Sequence, residues 1–163
     1  MAGGFVYGGS GLSTIDGKGR CTIPSELRST VESSSGGNVV CLARHPELPC
    51  LMGFGTTERD RLATDLDKQW DYAQQRGEQF DRQAAGGPIA SSLMEVGFEA
   101  SGRFVMPPML RFFGKLDGQA FFHGNITNFY IWNPSILMEQ QTGFEMQKEI
   151  AEYFLSEAER KRK

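Results

Sequence analysis

One short segment is written twice in this chain, and the repetition restricts the possible folds more than any other feature. The first copy is Ile15-Asp16-Gly17-Lys18-Gly19-Arg20-Cys21-Thr22-Ile23-Pro24, followed by Ser25-Glu26-Leu27-Arg28. The second is Phe98-Glu99-Ala100-Ser101-Gly102-Arg103-Phe104-Val105-Met106-Pro107, followed by Pro108-Met109-Leu110-Arg111. The pairs Gly19/Gly102, Arg20/Arg103, Pro24/Pro107, Leu27/Leu110 and Arg28/Arg111 all stand 83 positions apart (20 to 103, for example). Five coincidences at one spacing mark an internal duplication. Each copy reads as a strand, a tight glycine turn, a second strand and a short helix. Gly17 and Gly19 are expected to supply the positive φ angles of the first turn. Proline suits the first turn of a helix, where its missing N–H costs nothing.

The surrounding sequence repeats the same plan. Leu12 to Ile15 and Cys21 to Ile23 are expected to form a β-hairpin around the Asp16–Arg20 turn, with a short helix through Leu27 to Val31. Ser33-Ser34-Ser35-Gly36-Gly37 reads as a flexible loop. Val39 to Leu42 and Cys50 to Phe54 make a strand pair. A longer helix starts at Thr57, where Thr57-Glu58-Arg59-Asp60 resembles a capping box. Leu62, Leu66, Trp70 and Ala73 fall on one face of that helix, Gly77 is expected to break it, and Gly86-Gly87-Pro88 punctuates the end of the first half. In the second half, Leu93 to Phe98 and Arg103 to Met106 form the hairpin. Ala120 to Phe122 and Phe129 to Trp132 form the strand pair. Asn133-Pro134 opens a final helix with Leu137, Gln141, Phe144, Ile150, Phe154 and Ala158 inward. The glycine-rich first dozen residues read as a loose arm, and the basic tail Arg160 to Lys163 as a solvated helix end.

Two halves of this type, residues 12–87 and 88–163, are each too small to close a stable core, because sheets of so few strands need a partner. The expected fold is therefore α+β, with the halves interlocked in one chain and their hairpins contributing to a shared small β-barrel with flanking helices.

Composition narrows the function. With 39% hydrophobic and 11% aromatic residues the chain can bury a real core. A net charge of −3 argues against coating nucleic acid or anionic lipid by bulk charge, though not against a local basic surface. The N-terminus lacks the pattern of a signal peptide, and no apolar run approaches the length of a membrane span. Cys21, Cys41 and Cys50 have neither disulfide-framework nor zinc spacing. The expectation is a soluble cytoplasmic protein without metal, cofactor or small-molecule substrate. His45 and His123 are the only histidines, and each reads as structural or solvent-facing. No nucleophile–base set or phosphate-cradling loop stands out, so an enzyme is not expected.

Lys18 and Arg20 form a compact cationic edge on an exposed turn. The planar fork of arginine suits a guanine edge or a phosphate, and lysine suits a phosphate as a point charge. Asp16, four residues earlier, is placed to hold the Arg20 guanidinium before a partner arrives. The plain alternative is an exposed salt bridge with no function. From Leu12 to Arg28 there are three bases and two acids, whereas from Glu58 to Arg82 there are seven acids and five bases. The hairpin is thus slightly positive and the long helix negative.

The pattern Asp16-Gly-Lys-Gly-Arg20, with Ile23-Pro24 and Leu27-Arg28, resembles the swapped-hairpin DNA-binding fold of the AbrB/SpoVT superfamily. Two tandem copies over nearly the whole chain resemble the MraZ family. That resemblance implies a regulator, a repressor, that binds double-stranded DNA within the nucleoid. Lys18, Arg20, Arg28, Arg103 and Arg111 would contact DNA, with Asp16 and Glu99 orienting the motifs. For Arg28 and Arg111 a solvated or intramolecular ion-pair role stands equally open. The resemblance also implies a ring-shaped homo-oligomer reading short G-rich direct repeats in the promoter of the division and cell-wall gene cluster, its own included. Linking many weak contacts would supply avidity. The second copy departs from the pattern, with Glu99 in place of aspartate and no counterpart of Lys18. The competing class is a protein–protein module on the same fold, an antitoxin-like partner binder or an assembly scaffold.

Overall fold

The computed structural model describes residues 4–162. Its two halves are built in parallel. The first comprises β1 (Ser10–Thr14), β2 (Arg20–Thr22), α1 (Ser25–Ser35), β3 (Val39–Arg44), β4 (Leu51–Phe54), α2 (Thr56–Gln75) and α3 (Arg82–Ser92). The second comprises β5 (Met94–Gly97), β6 (Arg103–Val105), α4 (Pro108–Gly114), β7 (Gln119–Gly124), β8 (Phe129–Trp132), α5 (Pro134–Met138) and α6 (Glu145–Arg162). The protein is α+β, with entirely antiparallel pairing between its strands.

The halves interlock strand by strand. A six-stranded sheet runs in the order β1-β7-β8-β4-β3-β5, and β2 and β6 form a separate two-stranded ribbon. Exchanging each first-half strand for its second-half counterpart reverses the six-stranded order onto itself. The register obeys the same exchange. Met52 faces Tyr130 at the centre of the β4–β8 ladder, and Cys21 faces Phe104 at the centre of the ribbon. A pseudo-twofold axis therefore passes through both. The duplication read from the sequence has become an internal symmetry, and β1 and β5 are the end strands of the larger sheet.

Neither hairpin is formed as expected from the sequence, since in the second half β5 pairs with β3 and β6 with β2. β1 pairs with β7 and β2 with β6, each from the other half. Apart from the bonds within the Asp16–Arg20 turn, β1 and β2 are linked by the Thr22 N–H to Ser13 Oγ (2.9 Å). The reason lies at Ile15. It is buried and donates its N–H to Gly118 O, so the β1–β7 pairing runs on to the edge of the turn and β2 is left to pair with β6.

Four other expectations are corrected. The N-terminal arm, whose residues 1–3 lie outside the described residues, is anchored at Tyr7, which is buried and pairs with Ile126 through both backbone groups. Its phenol donates to Glu58 Oε1 (2.5 Å) and accepts the Gly55 N–H (2.9 Å), closing a network with Ser34 at the start of α2. The Ser33–Ser35 run is the last turn of α1, and Gly36, at φ +67°, ends the helix. Gly86-Gly87-Pro88 lies inside α3, which is opened by the Asp81 carboxylate accepting from the Ala84 N–H. The final helix is divided into α5 and α6 with Gly143 at φ +92° between them, so Gln141 is exposed and Ala151 takes an inward place.

The core is in two parts. Tyr7, Leu27, Leu42, Phe122, Phe129 and Ile131 belong to the larger cluster, which also takes in Cys21 and Phe104 of the ribbon. Phe121, Trp132, Leu137 and Ala151 form a second cluster against α5 and α6. Along α2 only Ala73 is buried. Leu62 and Leu66 are half-covered and Trp70 is exposed. No helix among the described residues is long and apolar enough to cross a membrane.

Candidate nucleic-acid interface

The first motif turn is organised by one carboxylate. Asp16 Oδ1 accepts the backbone N–H groups of Lys18 (3.0 Å) and Arg20 (2.9 Å), and Oδ2 accepts Arg20 Nε at 2.6 Å. This side-chain mimicry of a turn is what aspartate does well. It leaves Gly19 as the one left-handed residue of the turn, at φ +86°. The expectation that Gly17 shares this role is not met. The Arg20 backbone N–H, followed by the Arg20 side chain, holds the Asp16 carboxyl down at about 2, so it is ionised throughout the neutral range. Both side chains are more than two-fifths exposed, and Lys18 stands exposed at the tip.

The second turn copies the backbone but not the ion pair. Gly102 donates to Glu99 O (2.7 Å) and Glu99 to Arg103 O (2.9 Å), matching Gly19 to Asp16 O (2.9 Å) and Asp16 to Arg20 O. Among the described residues Glu99 and Arg103 form no salt bridge. Glutamate is one methylene longer and does not close the compact turn that Asp16 closes. Arg103 is therefore a less constrained cation than Arg20.

The two turns are locked across the pseudo-twofold. Ile23 N–H donates to Gly102 O (2.9 Å) and Met106 N–H to Gly19 O (2.8 Å). Arg28 and Arg111 reach over from the following helices. The Arg28 guanidinium donates to the Ser101 carbonyl, and Arg111 donates to the Asp16 carbonyl at 3.1 Å. Each arginine thus braces the turn of the opposite half. Neither arginine forms an ion pair among the described residues; both are bound within the chain to backbone carbonyls instead.

What faces outward is the solvent side of the β2–β6 ribbon. Cys21 and Phe104 point into the core, while Arg20, Thr22, Arg103 and Val105 alternate outward. Arg20 lies opposite Val105 and Thr22 opposite Arg103, so the two arginines stand on one diagonal. Both border an open cleft of about 510 Å³ with Asn38, Glu99 and Val105. Thr22 and Val105 were not singled out from the sequence. The alternation Arg-Cys-Thr and Arg-Phe-Val carried the signal, and only the cross-half pairing gives it a surface.

The histidines and cysteines serve the scaffold. His123 Nε2 accepts the Trp132 indole N–H at 2.9 Å, and His45 Nδ1 accepts the Glu47 and Leu48 N–H groups. Burial lowers both histidine pKa values. Burial pushes the Cys21 and Cys50 thiols up to about 12, so neither is a thiolate nucleophile.

Fold and site define a tandem α+β protein whose two copies of one strand–turn–strand element pair with each other within the chain. No family model matches the sequence. The chain is 27% identical over 128 residues to "Transcriptional regulator MraZ" of Pseudomonas fluorescens strain Pf0-1, covering 78% of this chain and 80% of the relative. The proteins of the same name from Pseudomonas putida strain GB-1 and Pseudomonas entomophila strain L48 are 25% identical over the same shares. The chain is thus similar over most of its length to proteins named as MraZ transcriptional regulators, and this supports membership of that family.

Proposed function

We propose that the protein is a sequence-specific regulator, a transcriptional repressor, that binds double-stranded DNA through the outward face of the β2–β6 ribbon and its two flanking turns. The observation that carries this reading is the pairing of Arg20 and Arg103 on one exposed face, with Lys18 at the adjoining tip. A two-stranded ribbon fits the major groove, where an arginine fork meets guanine O6 and N7. Lys18 supplies a phosphate contact. Asp16 fixes the direction of Arg20, while Glu99 sets the backbone of its turn. Arg28 and Arg111 contribute by holding the turns rather than by touching DNA. The names of the relatives support the regulatory class.

The finer features rest on the family resemblance. They are an AbrB/SpoVT-type swapped-hairpin barrel from the tandem halves 12–87 and 88–163, and a ring-shaped homo-oligomer associated with the nucleoid. They also include G-rich direct repeats in the promoter of the division and cell-wall gene cluster. The cross-half β2–β6 ladder supports the first. One ribbon with three exposed cations gives modest, salt-sensitive affinity, which supports presentation of several ribbons at once.

The test is selection of bound duplexes from genomic fragments, followed by titration of the recovered duplex. Arg20→Ala and Arg103→Ala should each weaken it by about tenfold or more, the worth of a bidentate base contact. Lys18→Ala should weaken all sequences alike and lower the salt slope by about one. Wild-type binding by the Arg20→Ala/Arg103→Ala double variant would refute the reading, and salt-independent capture of a protein partner without DNA affinity would replace it with the protein–protein module.

A further inference from the structure

The outward face of the ribbon holds two β-branched side chains as well as two arginines, and the arginine and lysine contacts leave these two without a task. Val105 is 51% exposed and stands directly across from Arg20. Thr22, its pseudo-twofold counterpart, is exposed and stands across from Arg103. The four side chains form a small quadrilateral in which cation and methyl alternate. Val105 Cγ1 lies beside Gly19, 3.6 Å from where a side chain at that position would begin, so this methyl flanks the turn that leads into Arg20. Gly19 is fixed in turn by its bond from Met106. The register sets each β-branched residue across from an arginine on the same outward face.

The geometry points to Val105 and Thr22 as specificity-determining residues, each placing a methyl group against the 5-methyl of a thymine next to the base read by the neighbouring arginine. This rests on the DNA-binding reading proposed for the ribbon. In the major groove thymine is distinguished by an apolar group, and valine or threonine methyls are its chemical complement. Directly opposed residues of an antiparallel pair have Cβ atoms about 5 Å apart. That reach spans one base step of about 3.4 Å, so arginine and methyl address adjacent base pairs. Two such units related by the pseudo-twofold give one protomer a four-position contact, with valine and threonine at equivalent corners.

Replacing thymine by deoxyuridine, one position at a time, removes only the methyl group and isolates this contact. On the duplex recovered from genomic fragments, wild type should bind about fourfold more weakly when a read thymine loses its methyl, the worth of about one buried methyl group. Val105→Ala should abolish the thymine preference at one position and leave the other intact, and Thr22→Ser should do the reverse. Val105→Thr keeps one γ-methyl and the β-branched strand residue, so it should preserve the preference and guards against a folding artefact. Tight binding of the duplex with no thymine position sensitive to the substitution would overturn this inference and leave the DNA-binding reading standing. Survival of both sensitivities in Val105→Ala and Thr22→Ser would overturn it in the same way. Failure of wild type to bind any duplex would overturn both.

Discussion

Replacing three turn glycines by alanine should cost stability in the order Gly102, Gly19, Gly17, and the spread can be worked from the backbone. Gly102 has φ +91°, and a Cβ there would lie 2.8 Å from the Ile23 carbonyl and 2.6 Å from Arg28 Nη1. An L-residue held in a left-handed conformation costs about 1–2 kcal/mol. The carbonyl is backbone and must move, which disturbs the Ile23 N–H bond to Gly102 O at 2.9 Å, worth about 1 kcal/mol. Gly102→Ala should therefore lose about 2–3 kcal/mol. Gly19 has φ +86°, but its Cβ would meet Met106 O at 3.0 Å, a contact that smaller shifts relieve, so about 1–2 kcal/mol is expected. Gly17 has no positive φ and open space around it. Its alanine variant should stay within about 0.5 kcal/mol of wild type, as ordinary surface changes do. Urea unfolding followed by Trp132 fluorescence would read the series. At a slope of about 2 kcal/mol/M, the Gly102 variant moves the midpoint by roughly 1 M. If Gly102→Ala unfolds with wild type, or if Gly17→Ala is as costly as Gly19→Ala, the cross-half locking of the turns is not as described.

Acidification should destabilise the fold below about pH 6.5, the ordinary histidine value. His45 and His123 resist protonation when buried but accept it freely once unfolded, so stability is flat above that pH and falls as pH drops through it. Asp16 acts in a separate window, where stability present above about 3.8 is lost toward about 2. A urea midpoint unchanged between pH 7 and 5 would contradict the histidine account, and His123→Asn should flatten the slope. Asp16→Asn keeps an oxygen to accept the Lys18 and Arg20 N–H groups but frees the Arg20 side chain. It should raise affinity for random duplex and lower the ratio of specific to random binding, and an unchanged ratio would dismiss Asp16 as a positioning residue. Tyr7→Phe keeps the ring against Phe129 but strips a hydroxyl with partners on both sides. A loss of about 1–3 kcal/mol in urea is expected, and a neutral result would mean that the arm is held by its ring alone.

The elements that local rules define were legible in the sequence, and those that depend on a distant partner were not. Pro24 and Pro107 opened helices where expected, and the two apolar strand pairs fell close to β3, β4, β7 and β8. The Asp16–Arg20 pair formed as its spacing suggested. The destination of β1 and β2 was not legible in detail, because a short strand beside a glycine turn has the same composition whether its partner is adjacent or in the other half of the chain. The Gly-Gly-Pro run misled for a related reason. Glycine and proline weaken a helix by a few kcal/mol at most, and an Asp81 cap together with packing on β3 outweighs that cost. Tyr7 was lost among glycines, since nothing local announces that a single aromatic will enter a socket made by Glu58, Ser34 and Gly55.

The symmetry of the scaffold and the asymmetry of its surface serve different ends. Backbone bonds at the two turns match in pairs, Ile23 to Gly102 with Met106 to Gly19, because both copies must fit one interlocked core. The side chains on those turns are under no such constraint, and they diverge. One turn carries Lys18 and an arginine tied to Asp16, while the other carries Ala100, Ser101 and an arginine without an ion-pair partner among the described residues. A ligand with twofold symmetry would be met equally by equal corners, so unequal corners favour a site whose two sides differ. The held arginine has less freedom to lose on contact and suits a fixed base edge. The looser Arg103 can follow a phosphate or a second base as the site requires. On the proposed DNA-binding reading, an asymmetric recognition element within the chain is the arrangement this surface fits, and it requires no departure from the symmetric core beneath it.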